Sequence, residues 1–427
     1  MQNISLLDRH RSVLPNWMAL YYDEPISIVR GDGRTVWDGD GREYLDFFGG
    51  ILTTMTGYGV KEVVDAIQDQ ASKMLHTSTL YLIESQIELA EKIAELSGIP
   101  NAKVFFTNSG SEANDAALML ATAYRRSNHV LAMRHSYHGR SFSTVPVTGI
   151  AAWSPSPLSP FNVSYVHGSY RYRSPFKDLS DADYIEACAD DLQNILDVSA
   201  SGDVACLIAE SILGVGGFAT PPDGLFGRFK EVLDKTGILF ISDEVQTGWG
   251  RTGENFWGYQ AHGVTPDLMT FAKGLGNGLA IGGVVGRADI IDCFTANSIS
   301  TFGGNPLATS GALANLAYLF NHNLQANALE QGKRFRTRMT ALQDKCSALG
   351  DVRGKGLMMG LEFVEADGKT PARDKAKHVL EETKARGLLV GIGGFYGNVI
   401  RMAPPLSVTA EEIDRGAAIL EECVTAL

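Results

Sequence analysis

The chain has 427 residues, 44% hydrophobic, 9% aromatic and 20% charged, an ordinary globular composition that excludes a disordered or fibrous protein. Its 49 acidic residues outnumber 37 Lys and Arg, for a net charge of −12, and no basic run could follow a phosphate backbone, so nucleic acid is not an expected partner. The five cysteines are far apart and form no CxxC pair, which predicts neither a disulfide framework nor a metal site and favours a reducing compartment.

The N-terminal stretch MQNISLLDRHRSVLP lacks the apolar core of a signal peptide, and no segment approaches the length of about 18 apolar residues needed to span a membrane. The expected location is the cytoplasm, without membrane contact. Residues 26–47, ISIVRGDGRTVWDGDGREYLDF, place short β-prone runs between Gly-Asp and Asp-Gly dipeptides, which predicts a small meander. VKEVVDAIQDQASKML and ESQIELAEKIAELSG then repeat apolar residues at helical spacing, with Gly98 as a stop.

Short apolar runs next alternate with helical stretches: AKVFFTN, HVLAMRH, VACLIAES, GILFISDEV and PDLMTFAK lie between segments such as SEANDAALMLATAYRRS and GLFGRFKEVLDKTG. Strands apolar throughout and separated by helices imply a mostly parallel sheet covered on both faces. Ligands then belong at the strands' carboxyl ends. After about residue 310 come the helical PLATSGALANLAYLF, then DVRGKGLMMGLEFV, LLVGIG and VIRMAPPL, and a final helix, EEIDRGAAILEECVTAL. The predicted fold is α/β, with a large domain over residues 56–315 and a smaller α+β domain from residues 1–55 and 316–427.

NSGSEAN, Asn108 to Asn114, follows an apolar run and opens a helix, leaving the N–H groups of Gly110 and Ser111 to face an anion such as phosphate. Plain capping by Ser109 or Ser111 explains the same residues. Asp243 ends another apolar run, where a desolvated carboxylate needs a cationic or hydrogen-bonding partner unless it only caps the turn. Lys273 ends a third, before a Gly-rich loop; there it either snorkels to the surface or becomes a nucleophilic amine for a carbonyl. Phosphate anchorage, a carboxylate for a protonated pyridine and a Schiff-base amine are together what pyridoxal phosphate requires. Tyr137 or His138, in HSYHGRSF, can lie against the pyridine face.

The ordered motifs NSGSEAN, SYHGRSF, SDEVQTGWGRTG, FAKGLGNG, STFGGNP and VIRMAPPL resemble the class III pyridoxal-phosphate aminotransferases of fold type I, from about residue 15 to the C-terminus. LDFFGGI, HTSTLY, TFGGNP and DVRGKGLMMGLE look most like the class III alanine:glyoxylate aminotransferases. The resemblance implies a ping-pong exchange between an alanine-type or β-amino acid and a small 2-oxo acid, pyruvate or glyoxylate. It implies that Lys273 forms the Schiff base and shuttles a proton, while Asp243 keeps the pyridine nitrogen protonated. Ser109, Gly110 and Ser111 would hold the phosphate, Tyr137 would stack on the ring with Glu210 behind it, and His138 and Val245 would complete the cofactor pocket. Gln246 would bond the ring hydroxyl. Thr301 would reach the phosphate of a neighbouring subunit, which requires a homodimer.

By the same resemblance Arg401 would bind the substrate carboxylate, with Tyr21 or Tyr22 beside it. Many members read E-P-x-Q-G-E-G-G where this chain reads ESILGVGG. Val215 thus replaces a glutamate that, in 4-aminobutyrate and ornithine enzymes, pairs with that arginine. Arg140 pulls the other way, since those enzymes use an arginine there for the distal carboxylate of 2-oxoglutarate. An ω-amino acid:2-oxoglutarate aminotransferase, a racemase and a phospholyase are the alternatives.

Overall fold

The computed structural model describes residues 5–198 and 203–427; the first residues of the N-terminal stretch lie outside them. Strands Ile28–Asp32, Thr35–Asp38 and Glu43–Asp46 form the antiparallel meander that the turn dipeptides demand. Leu388–Leu389 joins this meander in parallel, alongside Glu43–Asp46. Segments from near both chain ends thus share one sheet.

Helices Lys61–Lys73 and Glu84–Ser97 form where the periodicity places them, and Gly98 ends the second in a left-handed conformation, φ 62°. Glycine adopts that conformation without steric cost.

The central sheet has seven strands, in the spatial order Ala102–Thr107, Gly282–Arg287, Leu268–Phe271, Leu239–Asp243, Val204–Glu210, His129–Met133 and Asn162–Val166. All its pairings are parallel except those of Gly282–Arg287, which runs antiparallel to both neighbours. Every residue of Val204–Glu210, Leu239–Asp243 and Leu268–Phe271 is buried. Alternation along the strands explains this. Cys206, Ile208, Leu239 and Ile241 pack with Ala117, Leu118 and Ala121 of helix Gly110–Arg125, while Leu207, Ala209 and Phe240 pack with Tyr184, Cys188, Phe226 and Phe229 of helices Asp181–Val198 and Leu225–Asp234. Both sheet faces are therefore apolar, and the polar groups at the strand ends become the places available for chemistry.

A third sheet of Leu349–Lys355, Met358–Phe363, Val399–Met402 and Gly391–Gly393 is antiparallel and carries Arg401. Residue 315, the expected limit of the large domain, falls inside the continuous helix Pro306–Asn321. Asn315 there donates to the carbonyls of Gly274 and Leu275, each at 2.9 Å. These bonds tie the middle of this helix to the loop that follows Lys273. Among the described residues no helix is long and apolar enough to cross a membrane.

Candidate active site

A cavity of about 190 Å³ opens where the parallel strands end. Ser109, Gly110 and Ser111 line one end of it, at the start of helix Gly110–Arg125. The Ser109 hydroxyl accepts from the Glu112 N–H at 3.2 Å, and the Ser111 hydroxyl accepts from the Arg140 N–H at 3.1 Å. The two readings are compatible: the serine side chains organise the turn, and the first N–H groups of a helix, which have no partner within it, could hold an anion. A Cβ on Gly110 would lie 3.0 Å from Val245, and one on Gly139 would lie 2.5 Å from the Ser111 hydroxyl. Only bare backbone leaves this cradle open.

At the other end stands Asp243, 4% exposed, at the last position of its strand. Its Oδ2 accepts from Asn114 Nδ2 at 2.7 Å and from His138 Nδ1 at 2.8 Å; its Oδ1 accepts from the Val245 N–H at 3.1 Å. The His138 imidazole is committed to this carboxylate, so Tyr137 is the aromatic ring of HSYHGRSF left to cover a cofactor face. Tyr137 lines the cavity and meets Trp153 edge-on, with centroids 5.5 Å apart.

Glu210 ends the adjacent strand, level with Asp243 in the register. Its oxygens accept from the N–H groups of Tyr137 and Gly214, each at 2.8 Å, which fixes the Tyr137 backbone. Burial first, and then the Asp243 charge, push the Glu210 carboxyl above its ordinary range.

Lys273 follows Leu268–Phe271, the next strand along, and adopts a left-handed φ of 45°. Burial lowers its ammonium from 10.5 to about 8, against the opposing pull of Asp243 and Glu210. The neutral amine attacks an aldehyde, and here it predominates above about pH 8. Uptake of pyridoxal phosphate by the cofactor-free protein should therefore quicken about tenfold per pH unit up to that point and then level off, as read by stopped-flow absorbance. A rise that continues to about pH 10 would mark Lys273 as an ordinary lysine.

Gln246 and Val245 line the same cavity. Gln246 Oε1 and His138 Nε2 are buried without partners. The glycine cradle, the carboxylate, the desolvated amine and these unpaired polar atoms fit pyridoxal phosphate.

Arg401, 4% exposed, donates to the carbonyls of Gly214 at 3.0 Å and Ile392 at 3.1 Å and to the Tyr21 hydroxyl at 3.3 Å. Its guanidinium lies over the rings of Phe48 and Phe218, 5.1 and 5.6 Å from their centroids. No carboxylate pairs with it among the described residues. Of the tyrosine pair, Tyr21 faces the site. Tyr22 does not: it lies under the Lys384 ammonium at 4.7 Å, beside Asp46 and Glu381, and burial leads those charges in raising its hydroxyl above the ordinary value. The chain bends through these two residues, and their side chains meet different partners.

Arg140 lies outside the cavity lining. Its side chain is exposed, with the guanidinium 5.2 Å from the Trp17 ring, although its charge still reaches the Tyr137 hydroxyl. Thr301 is also exposed and does not line this chain's cavity. Asn114, by contrast, belongs at the centre of the site although sequence reasoning gave it no role. Its place one helical turn after Gly110 was the available signal. No group of His, Cys, Asp and Glu among the described residues could hold a metal ion.

An anion-binding helix start and a carboxylate and an amine on neighbouring strand ends are the anchor set of the fold type I pyridoxal-phosphate enzymes. Within them, the chain belongs to the class III aminotransferases: the model of that family, Aminotransferase class-III, matches residues 18–424. It is 38% identical over 413 residues to an alanine–glyoxylate aminotransferase 2 homologue of Arabidopsis thaliana, mitochondrial by name, covering 96% of this chain and 85% of the relative. A leucine/methionine racemase of Thermococcus litoralis is 35% identical over 99% of this chain and 96% of its own. Among solved structures, a phospholyase from Arthrobacter in complex with phosphoethanolamine superposes with a TM-score of 0.91 at 32% identity, covering 99% of this chain and all of that one. A transaminase from a marine Virgibacillus reaches 0.90 at 27%, with 99% of each chain covered.

Proposed function

We propose that this aminotransferase exchanges the amino group between an alanine-type or β-amino acid and a small 2-oxo acid such as pyruvate or glyoxylate. The observation that carries the reading is the buried Arg401 with only carbonyl and phenol partners, and with valine at position 215. Val215 borders this group: its carbonyl and the Arg401 Nε both close on Gly393, at 3.2 and 2.7 Å from where a Cβ there would sit. A buried cation without an acid is costly to keep. A substrate carboxylate supplies the missing charge, and without an internal competitor it does so in both half-reactions. The names of the alanine–glyoxylate relatives support the same choice.

The residues divide the work. Gly110 and Ser111 N–H groups hold the phosphate, Tyr137 and Val245 enclose the ring, and Asp243 holds the proton on its nitrogen. The bound cofactor supplies an electron sink for the charge left when the substrate carbon loses its proton. The Lys273 amine, which burial brings closer to neutrality than an ordinary lysine, takes that proton and returns it. Arg401 and Tyr21 fix the carboxylate so that the carbon–hydrogen bond faces Lys273.

Thr301 reaches a cofactor phosphate only in a homodimer, and we include that assembly in the proposal. Ile299 and Phe302, beside it, are 59% and 58% exposed, and Leu80, Tyr81 and Leu82 are exposed as well. His76 meets Phe302 with centroids 4.8 Å apart, which joins these segments into one apolar face. A face of this kind needs covering. The proposal further assigns residues 1–55 and the chain after helix Pro306–Asn321 to a small domain, as their shared sheet supports, and places the enzyme in the cytoplasm, as its unpaired cysteines support.

The test is an oxo acid panel. Protein converted to its amine form should recover the aldehyde spectrum with pyruvate and glyoxylate at least about tenfold faster than with 2-oxoglutarate. Rapid recovery with 2-oxoglutarate alone would overturn the substrate assignment and make Arg140 the selecting group.

A further inference from the structure

Asp243 is useful to a pyridine nitrogen only if one of its oxygens remains an acceptor at a fixed place. Two side chains load Oδ2, and Oδ1 takes a single backbone N–H at 3.1 Å. One of the two, His138, comes from the loop after strand His129–Met133. The other, Asn114, comes from the helix that begins at the anion-binding turn.

Asn114 is 1% exposed and uses its whole amide. Nδ2 donates to Asp243 Oδ2 at 2.7 Å and to the His138 carbonyl at 2.8 Å, while Oδ1 accepts from the Thr270 hydroxyl at 2.6 Å. Thr270 is fully buried and pairs with Asp243 in the parallel register of the sheet. The amide has one consistent orientation, because two acceptors stand on its nitrogen side and a hydroxyl donor on its oxygen side. A flipped amide would press an oxygen against a carboxylate and a carbonyl.

The spacing has a further consequence. Gly110 and Asn114 are four residues apart on one helix, hence on one face and about 6 Å apart along the axis. The helix start that faces the phosphate and the amide that holds Asp243 are therefore parts of one rigid element.

We propose that Asn114 is a positioning residue that holds the Asp243 carboxylate for the cofactor's ring nitrogen, and that Thr270 in turn fixes Asn114. The inference rests on pyridoxal phosphate as cofactor but not on the substrate assignment. Neither residue touches the reacting atoms; both act through Asp243.

The test uses two substitutions that keep shape while removing hydrogen bonds, Asn114→Leu and Thr270→Val, with Thr270→Ser as the conservative control. Each protein is loaded with pyridoxal phosphate carrying ¹⁵N in its ring. Asn114→Leu should weaken cofactor binding about 30-fold and Thr270→Val about fivefold, while Thr270→Ser stays within about twofold. In the first two the ring-nitrogen resonance should move from the protonated toward the free-base position, and Thr270→Ser should retain the wild-type value. A resonance unchanged in both shape-keeping variants overturns the proposal whatever the affinities, because a packing role would affect binding without touching that nitrogen. Should Asn114→Leu fail to fold, the Thr270→Val resonance decides alone. A wild-type protein that binds no pyridoxal phosphate would instead remove the cofactor assignment itself.

Discussion

A Lys273→Ala protein is expected to fold, to retain pyridoxal phosphate through the helix start and Asp243, and to lose about 10⁴-fold or more in turnover. The size follows from two losses at one atom. On the proposed function the Lys273 Nζ would make the covalent link and carry the proton at the substrate carbon, and no other lysine lines the cavity among the described residues. Lys273→Arg should be equally inactive, since a guanidinium does not give up its proton and cannot supply the neutral amine that burial prepares here. Borohydride treatment followed by peptide mapping separates this from a folding defect. Wild-type protein should carry the reduced label on the peptide containing FAKGLGNG, and the Ala variant should carry none while keeping its circular dichroism. Turnover retained in the Ala variant would remove Lys273 from the chemistry.

Much of the central sheet was legible because burial on both faces forces strands to be apolar throughout, as in VACLIAE and LFISD, and the chemistry sits where such runs stop. Two of its strands were not. Gly282–Arg287 carries three glycines and offers little apolar run, because its neighbours come too close: a Cβ on Gly283 would lie 2.6 Å from the Phe271 ring and from the Phe105 carbonyl. Asn162–Val166 is a short edge strand, and its Asn and Ser leave no continuous apolar run of the kind that marks the central strands.

The same limits apply to the site. Asp243 and Lys273 announce themselves as charges at the ends of apolar runs. Asn114 sits inside an Ala-rich helix, where its one cue is its place a helical turn after Gly110, and the tertiary contacts with His138, Asp243 and Thr270 reveal its use. The choice between Tyr21 and Tyr22 was likewise undecidable from two equal letters, because it depends on how the bend at these residues turns one of them toward Arg401.

Replacing Arg401 with Gln should lower kcat/KM for the amino acid substrate about 10²- to 10³-fold while leaving cofactor affinity within about twofold. The loss should be large because the substrate carboxylate would enter a pocket walled by Phe48 and Phe218, with a weak neutral donor in place of the guanidinium fork. It should not reach the cofactor, because Arg401 bonds to Gly214, Ile392 and Tyr21 and to none of the phosphate or ring anchors. The converse substitution tests the same physics from the other side. Val215→Glu would place a carboxylate beside an arginine that lacks one, and the internal pair should compete with every substrate carboxylate. KM for alanine-type substrates should rise about tenfold or more, whereas an amine without a carboxylate near its reacting carbon should be affected far less. Equal losses for both kinds of amine in Val215→Glu would mean that the glutamate disturbs the pocket's shape and that Arg401 does not select by charge.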